Sequence, residues 1–102
     1  MIQGSTPTHL FELPFSTEVI NRVRVLYAQG DEVLFVKEND ACTFDGRTIK
    51  VRLTQAETLL LDHKKPVQIQ VRAMTTGGDS LVSPIKRVEV GQCLDDEVLE
   101  CV

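Results

Sequence analysis

Long apolar runs are missing from this chain. The longest, Val33 to Val36 and Leu59 to Leu61, are a few residues each, far short of the roughly 20 that cross a bilayer as a helix, so neither a membrane span nor a membrane partner is expected. A secretory leader is missing too. Met1 to Pro7 has neither a basic stretch nor an apolar one, and folding in a host cytoplasm is the expectation. Paired-cysteine motifs are also absent. Cys42, Cys93 and Cys101 are odd in number and show no Cys-x-x-Cys spacing, which predicts reduced thiols, with Cys101 the one placed to cross-link two chains under oxidation.

Basic excess is lacking as well, and this bears on partners. Of the fifteen acids, four (Asp95, Asp96, Glu97 and Glu100) fall in residues 91–102, which hold no base; the other 90 residues carry eleven acids against eleven bases. A neutral body argues against nucleic acid as a partner, because that binding is driven mainly by phosphate neutralisation.

Catalytic and cofactor motifs are absent by the same reading. His9 and His63 stand alone, outside any cluster with metal-ligand spacing. Cys42 paired with either histidine has no motif that supplies a base or an oxyanion donor beside it. Gly77 and Gly78 lack the helix and the lysine of a phosphate-binding loop and read as a turn. Adjacent carboxylates at 95–97 have no enforced geometry for hydrolysis. No enzyme activity, cofactor or metal is therefore expected.

What is present is alternation with period two, the mark of half-buried strands. Phe11 and Leu13 alternate with Glu12 and stop at Pro14. Val23, Val25 and Tyr27 alternate with Arg22, Arg24 and Leu26. A break at Gln29, Gly30 and Asp31 predicts a hairpin into Glu32 to Lys37, with Val33 and Phe35 on one face. Cys42 and Phe44 enter, and Ile49, Val51 and Leu53 leave, a second hairpin turned by Asp45 and Gly46. Val67, Ile69, Val71 and Ala73 make the cleanest strand, predicted to be central. Leu81, Val82, Val88 and Val90 follow the turn at 76–79, and Pro84 between them predicts an edge strand or one that switches sheets.

One helical signal interrupts the strands. Thr54 and Glu57 have capping-box spacing, predicting a single turn through about Leu61 whose leucines cap an open end. Seven or so short strands with one such turn predict an all-β fold: a two-sheet antiparallel sandwich of immunoglobulin-like size over residues 1–90, with a helical turn near 55–61. Residues 91–102 are predicted to form an acidic tail. Leu94, Val98 and Val102 recur every fourth residue with Leu99 beside them and acids in the first turn, predicting a short amphipathic helix that docks in a groove.

Two features predict a protein-binding role. Arg22, Arg24, Lys50, Arg52 and Arg72 all take polar-side positions, and a sheet shared by their strands would present a cationic face to an acidic partner. Leu94, Val98 and Leu99 supply the tail's apolar contacts, with about 1.5 to 3 kcal/mol available for each fully buried side chain.

The chain also resembles small prophage-encoded proteins of Gram-positive bacteria, through Gly4 to Phe15 with Phe11, Leu13, Pro14 and Phe15, through Thr54 to Leu61 and Val67 to Val71, and through the ending Leu94 to Glu100. More loosely, Val51 to Thr54, Thr58 to Leu61 and Val67 to Val71 are similar in order to the N-terminal domain of phage baseplate upper proteins, a sandwich that anchors a receptor-binding apparatus. The resemblance implies a phage-derived structural or assembly module, binding itself as a homo-oligomer or a virion component and incorporated into the particle. The alternative is a soluble prophage-encoded adaptor or regulator that binds a host protein.

Overall fold

The computed structural model of the protein describes residues 1–101. It contains eight strands: β1 (Thr8–Glu12), β2 (Ile20–Gln29), β3 (Glu32–Glu38), β4 (Cys42–Asp45), β5 (Thr48–Arg52), β6 (Val67–Thr75), β7 (Ser80–Val82) and β8 (Lys86–Val88). One short helix, α1 (Gln55–Leu59), lies between β5 and β6. Pairing is antiparallel throughout and divides the strands into two sheets. One has the order β1-β5-β4; in the other, β3, β2 and β6 lie side by side, and β7 and β8 both pair with the free edge of β6.

Alternation builds the core. Val23, Val25 and Tyr27 on β2 face the same way as Val67, Ile69, Val71 and Ala73 on β6, and they meet Ile49 and Val51 of the opposing sheet. All are buried. Leu53, Leu61 and Val90 close the periphery. The strand predicted to be central does sit inside its sheet, with β2 along one side.

The hairpin turns follow from glycine. Gln29 pairs with Glu32 across Gly30 and Asp31, and Gly30 alone of the two has positive φ, +59°, the pattern of a type II′ turn with glycine first. Asp45 pairs with Thr48 across Gly46 in the same way, φ +60°. Asp45 is therefore the last residue of a strand and not a turn centre.

A bulge corrects one expectation. Tyr27 pairs with Phe35 but Ala28 pairs with Val33, so Leu34 is an extra residue on β3. An extra residue inverts the facing of everything beyond it. Phe35 accordingly points inward onto Tyr27, whereas Val33 lies with Ala28 on the outer face, 50% exposed.

The interruption at Pro84 leaves both short strands on one edge of β6, so no switch between sheets occurs. Ser83 bridges the gap: its hydroxyl accepts from the Val71 amide at 2.9 Å, and its own amide donates to the Val71 carbonyl at 2.9 Å. The capping box is present, with the Glu57 amide donating to Thr54 Oγ1 at 3.1 Å and the Thr54 amide donating to Glu57 Oε1 at 2.8 Å. Of the leucines that follow, Leu61 is buried and Leu60 is exposed.

The acidic segment does not form a helix. Ile2 and Gly91 make a parallel bridge, and the chain then runs on without regular structure as far as Cys101. Leu94 is 97% exposed and Leu99 71%. An isolated pair of helical turns is marginal without a surface to bury its apolar stripe, and Leu94, Val98 and Leu99 all remain exposed. Val102, the last member of the predicted stripe, lies outside the described residues.

Candidate functional site

The five basic residues singled out by alternation do not share a face. Arg22 and Arg24 lie on β2 and Arg72 on β6, in the larger sheet; Lys50 and Arg52 lie on β5, in the smaller one. Alternation fixes whether a side chain points in or out but says nothing about which sheet a strand joins. Lys50 Nζ reaches Asp45 Oδ2 at 3.5 Å, and Arg52 Nη2 donates to Thr6 Oγ1 at 3.5 Å.

The other three do converge. Arg24 stands directly opposite Arg72 across the β2–β6 ladder, and Arg22 stands opposite Met74. On the far side of Arg24, β3 places Glu38 in register with it. That carboxylate takes Arg22 Nη2 at 3.3 Å and Arg24 Nε at 3.2 Å, the latter at an angle that makes an ion pair rather than a hydrogen bond. Arg72 has no carboxylate partner among the described residues. The three arginines, with Ala73, Met74 and Ser80, line a hollow of about 200 Å³.

Next to this hollow the same outer face turns apolar. Leu26 pairs with Val36 and Ala28 with Val33, so these four side chains lie together on the side turned away from the small sheet. Gln68 and Gln70 lie beside them on β6. No third layer covers them among the described residues.

The inner side is built differently. Tyr27 is buried, stacked on Phe35 with ring centroids 4.8 Å apart and on His9 at 5.7 Å. Its hydroxyl lies 2.8 Å from His9 Nδ1. Burial, reinforced by the nearby N-terminal ammonium and Lys86, holds the His9 pKa below its ordinary value. Burial likewise pushes the Tyr27 hydroxyl well above its ordinary range, with Cys42 and Glu57 adding to the effect. Which of the two groups donates in this hydrogen bond is set by the imidazole tautomer.

Lys37, inward on β3, reaches over to α1 and donates to both Glu57 oxygens at 2.6 and 2.8 Å. Burial works to raise the Glu57 carboxyl. The hydrogen bonds from Lys37 and the Thr54 amide, with the Lys37 charge, outweigh it and leave the carboxyl below its ordinary value. Burial also raises the Cys42 thiol, partly offset by Lys37. Cys42 and His9 both stand opposite Val51, on either side of it, which sets their backbones about 10 Å apart, two strand spacings. The thiol is thus held protonated, and the histidine's ring nitrogen is engaged with Tyr27.

Sequence reasoning missed this inner group. The signal was available: extending the Phe11 alternation back two positions puts His9 inward, and the same step from Phe35 puts Lys37 inward. Also unforeseen is an apolar groove of about 360 Å³ between Leu13, Pro14 and Phe15 on one side and Leu81, Val82 and Pro84 on the other. It opens where three-residue β7 is too short to close the edge of the sandwich.

The acidic segment is pinned at its start, where the Cys93 amide donates to Gln3 Oε1 at 3.0 Å, and again near its end. The Leu99 amide donates to Gln55 Oε1 and Gln55 Nε2 donates to the Leu99 carbonyl, each at 2.9 Å. Val98 lines a hollow with Thr6, Arg52 and the start of α1. Thus Val98 and Leu99 lie beside α1 and Arg52 of the small sheet, away from the arginine hollow, and Leu94 stands in solvent.

No protein-family model, curated protein or solved structure matches the chain.

Proposed function

We propose that this protein is a non-catalytic, phage-derived structural or assembly module that binds another protein, itself or a virion component, through the outer face of its larger sheet and its acidic segment. The observation that carries the reading is that face: an exposed Val33 beside half-buried Leu26, Ala28 and Val36, bordered by Arg22, Arg24 and Arg72. An apolar patch rimmed by charge is the usual anatomy of a protein interface. Arginine is the cation favoured there, since its planar fork recognises carboxylates in pairs.

Non-catalysis is supported by the state of the candidate nucleophile. A thiol whose pKa is raised by burial is a poor nucleophile, and the nearest expected base is occupied. The phage origin is supported by the sequence resemblance.

Particles purified from cells that encode the chain test the reading. Wild type is expected in the particle, and Val33→Glu with Arg72→Glu is expected to drop out of it while keeping the wild-type circular dichroism spectrum. A chain absent from particles but bound to a host protein through the same residues favours the adaptor role. Retention of the double variant in particles overturns the assignment of the face.

A further inference from the structure

We propose that the arginine hollow receives Asp95, Asp96 and Glu97 of a second copy of this chain, joining copies head to tail. The inference rests on reading the outer sheet face as a binding surface and names its occupant. It begins from a charge imbalance. Arg24 and Arg72 oppose each other directly across a ladder, an arrangement that is unfavourable for like charges unless an anion lies between them. Among the described residues Glu38 is the one carboxylate paired with these arginines; it serves Arg22 and Arg24 and leaves Arg72 without one.

The chain carries the complementary imbalance elsewhere. Residues 91–102 hold four acids and no base, against a balanced remainder, and none of those four acids forms an ion pair among the described residues. Two guanidinium forks and a short run of carboxylates make charge-assisted, paired hydrogen bonds. The apolar parts also match. Leu94 stands exposed beside the acids, while Met74 and Val82 stand exposed beside the hollow; Val82 is in register with Arg72.

The same chain cannot make this contact while its segment is held as it is. Leu99 is bonded on both its amide and its carbonyl to Gln55, beside Arg52 of the small sheet, whereas the hollow opens on the outside of the large one. The bonds to Gln55 hold the segment on the Arg52 side, where Asp95, Asp96 and Glu97 are exposed and the Asp95 carboxylate accepts from the Glu97 amide at 3.0 Å. Hollow and segment are different patches, so the contact is heterologous. Repeated, it closes a ring or grows a filament rather than forming a twofold pair.

Two variants of the full chain test this by static light scattering. Arg24→Glu with Arg72→Glu reverses the hollow; Asp95→Lys, Asp96→Lys and Glu97→Lys reverse the segment. Arg72, Asp95, Asp96 and Glu97 are exposed and Arg24 is half-buried, and circular dichroism verifies folding. Wild type is expected to gain mass with concentration beyond a dimer and to lose it as salt screens the contact. Each variant alone is expected to be monomeric. An equimolar mixture is expected to regain mass, since the intact segment of one variant meets the intact hollow of the other and the two reversed patches are themselves of opposite charge. Arg72→Glu alone is expected to weaken association about tenfold or more.

A wild-type chain that stays monomeric overturns the proposal, as does continued assembly of either variant or a mixture that stays monomeric. The broader reading fails separately. A monomeric wild type whose hollow variant still drops out of particles removes the second copy as occupant and leaves the binding face standing; a hollow variant that stays in particles removes the face itself.

Discussion

The two sides of the larger sheet use the same strands and handle polar groups in opposite ways. On the inner side the imidazole and the ammonium that reach the core have partners: His9 meets the Tyr27 hydroxyl, and Lys37 meets both oxygens of Glu57. On the outer side Arg72 faces Arg24 without a carboxylate of its own among the described residues, and an exposed Val33 lies beside half-buried Leu26, Ala28 and Val36. Paired groups between sheets hold the layers together, because an unpaired polar group there costs far more than it does in water. Unpaired charge and bare apolar surface on an outer face are affordable only in solvent, and they are the features a partner would neutralise. The contrast separates residues that maintain the fold from those available for binding.

The largest effect that would sharpen this division lies inside. Tyr27→Ala removes the ring stacked between His9 and Phe35 and is expected to cost about 3 to 5 kcal/mol, as aromatic truncations in cores do, measured by urea unfolding. A loss below 1 kcal/mol would show that the stack does not organise the core. Glu57→Gln comes next. It exchanges a charge-assisted pair for a neutral amide beside buried Lys37 and weakens the capping box, and is expected to cost about 1 to 2 kcal/mol. Lys37→Met with Glu57→Gln should recover part of that loss, because the uncompensated ammonium is gone.

The pH profile is a subtler probe of the same side. The folded His9 pKa lies below its unfolded value of 6.5, so above that pH both states are neutral and the full stability is present. As pH falls below it, the unfolded chain takes up a proton that the folded chain resists, and stability declines until the folded imidazole also titrates. His9→Gln should flatten this slope. The Glu57 carboxyl is depressed from 4.5, so its contribution is intact above that value and fades as pH falls through the lower, folded one. A profile of His9→Gln that still falls with the wild-type slope between pH 6.5 and 5 would assign the effect to another group.

The smallest effects are expected outside. Val33→Thr and Arg72→Gln should change stability by no more than about 0.5 kcal/mol, and Arg72→Gln should move it slightly upward because the opposed arginine pair is relieved. A loss of 2 kcal/mol at either position would make the outer face part of the folding core and dissolve the distinction between the two sides.

Much of this architecture was legible in the sequence, for a physical reason. Period two is a direct consequence of strand geometry, so Val23, Val25 and Tyr27, or Val67 through Ala73, declare their common face without reference to anything distant. Gly30 and Gly46 declare their turns, and Thr54 with Glu57 their helical turn, by equally local chemistry. What depends on pairing between distant strands was not legible. Nothing local to β5 reveals that Lys50 and Arg52 belong to a different sheet from Arg22, Arg24 and Arg72.

Nor does any residue near Leu34 announce the bulge that turns Val33 outward, since a bulge is a property of two strands in register. The acidic segment failed for another reason. Its fourfold recurrence of Leu94 and Val98 satisfies a helical pattern, but a pattern that short needs a receiving groove. The tertiary structure holds the segment instead through the side-chain amides of Gln3 and Gln55, leaving Leu94 and Leu99 exposed.

The most direct test of the claim that the outer face of the larger sheet is the binding surface compares it with an equally bare position on the other sheet. A photo-crosslinking residue placed at Val33 should be compared with one at Leu10, which is outward on β1 and more exposed, at 63% against 50%. Exposure alone favours Leu10. The account predicts that irradiation of cells making the full chain yields a defined covalent adduct from position 33, containing either a second copy or a virion protein, and little or none from position 10. Equal adducts from both positions, or a preference for position 10, would contradict it.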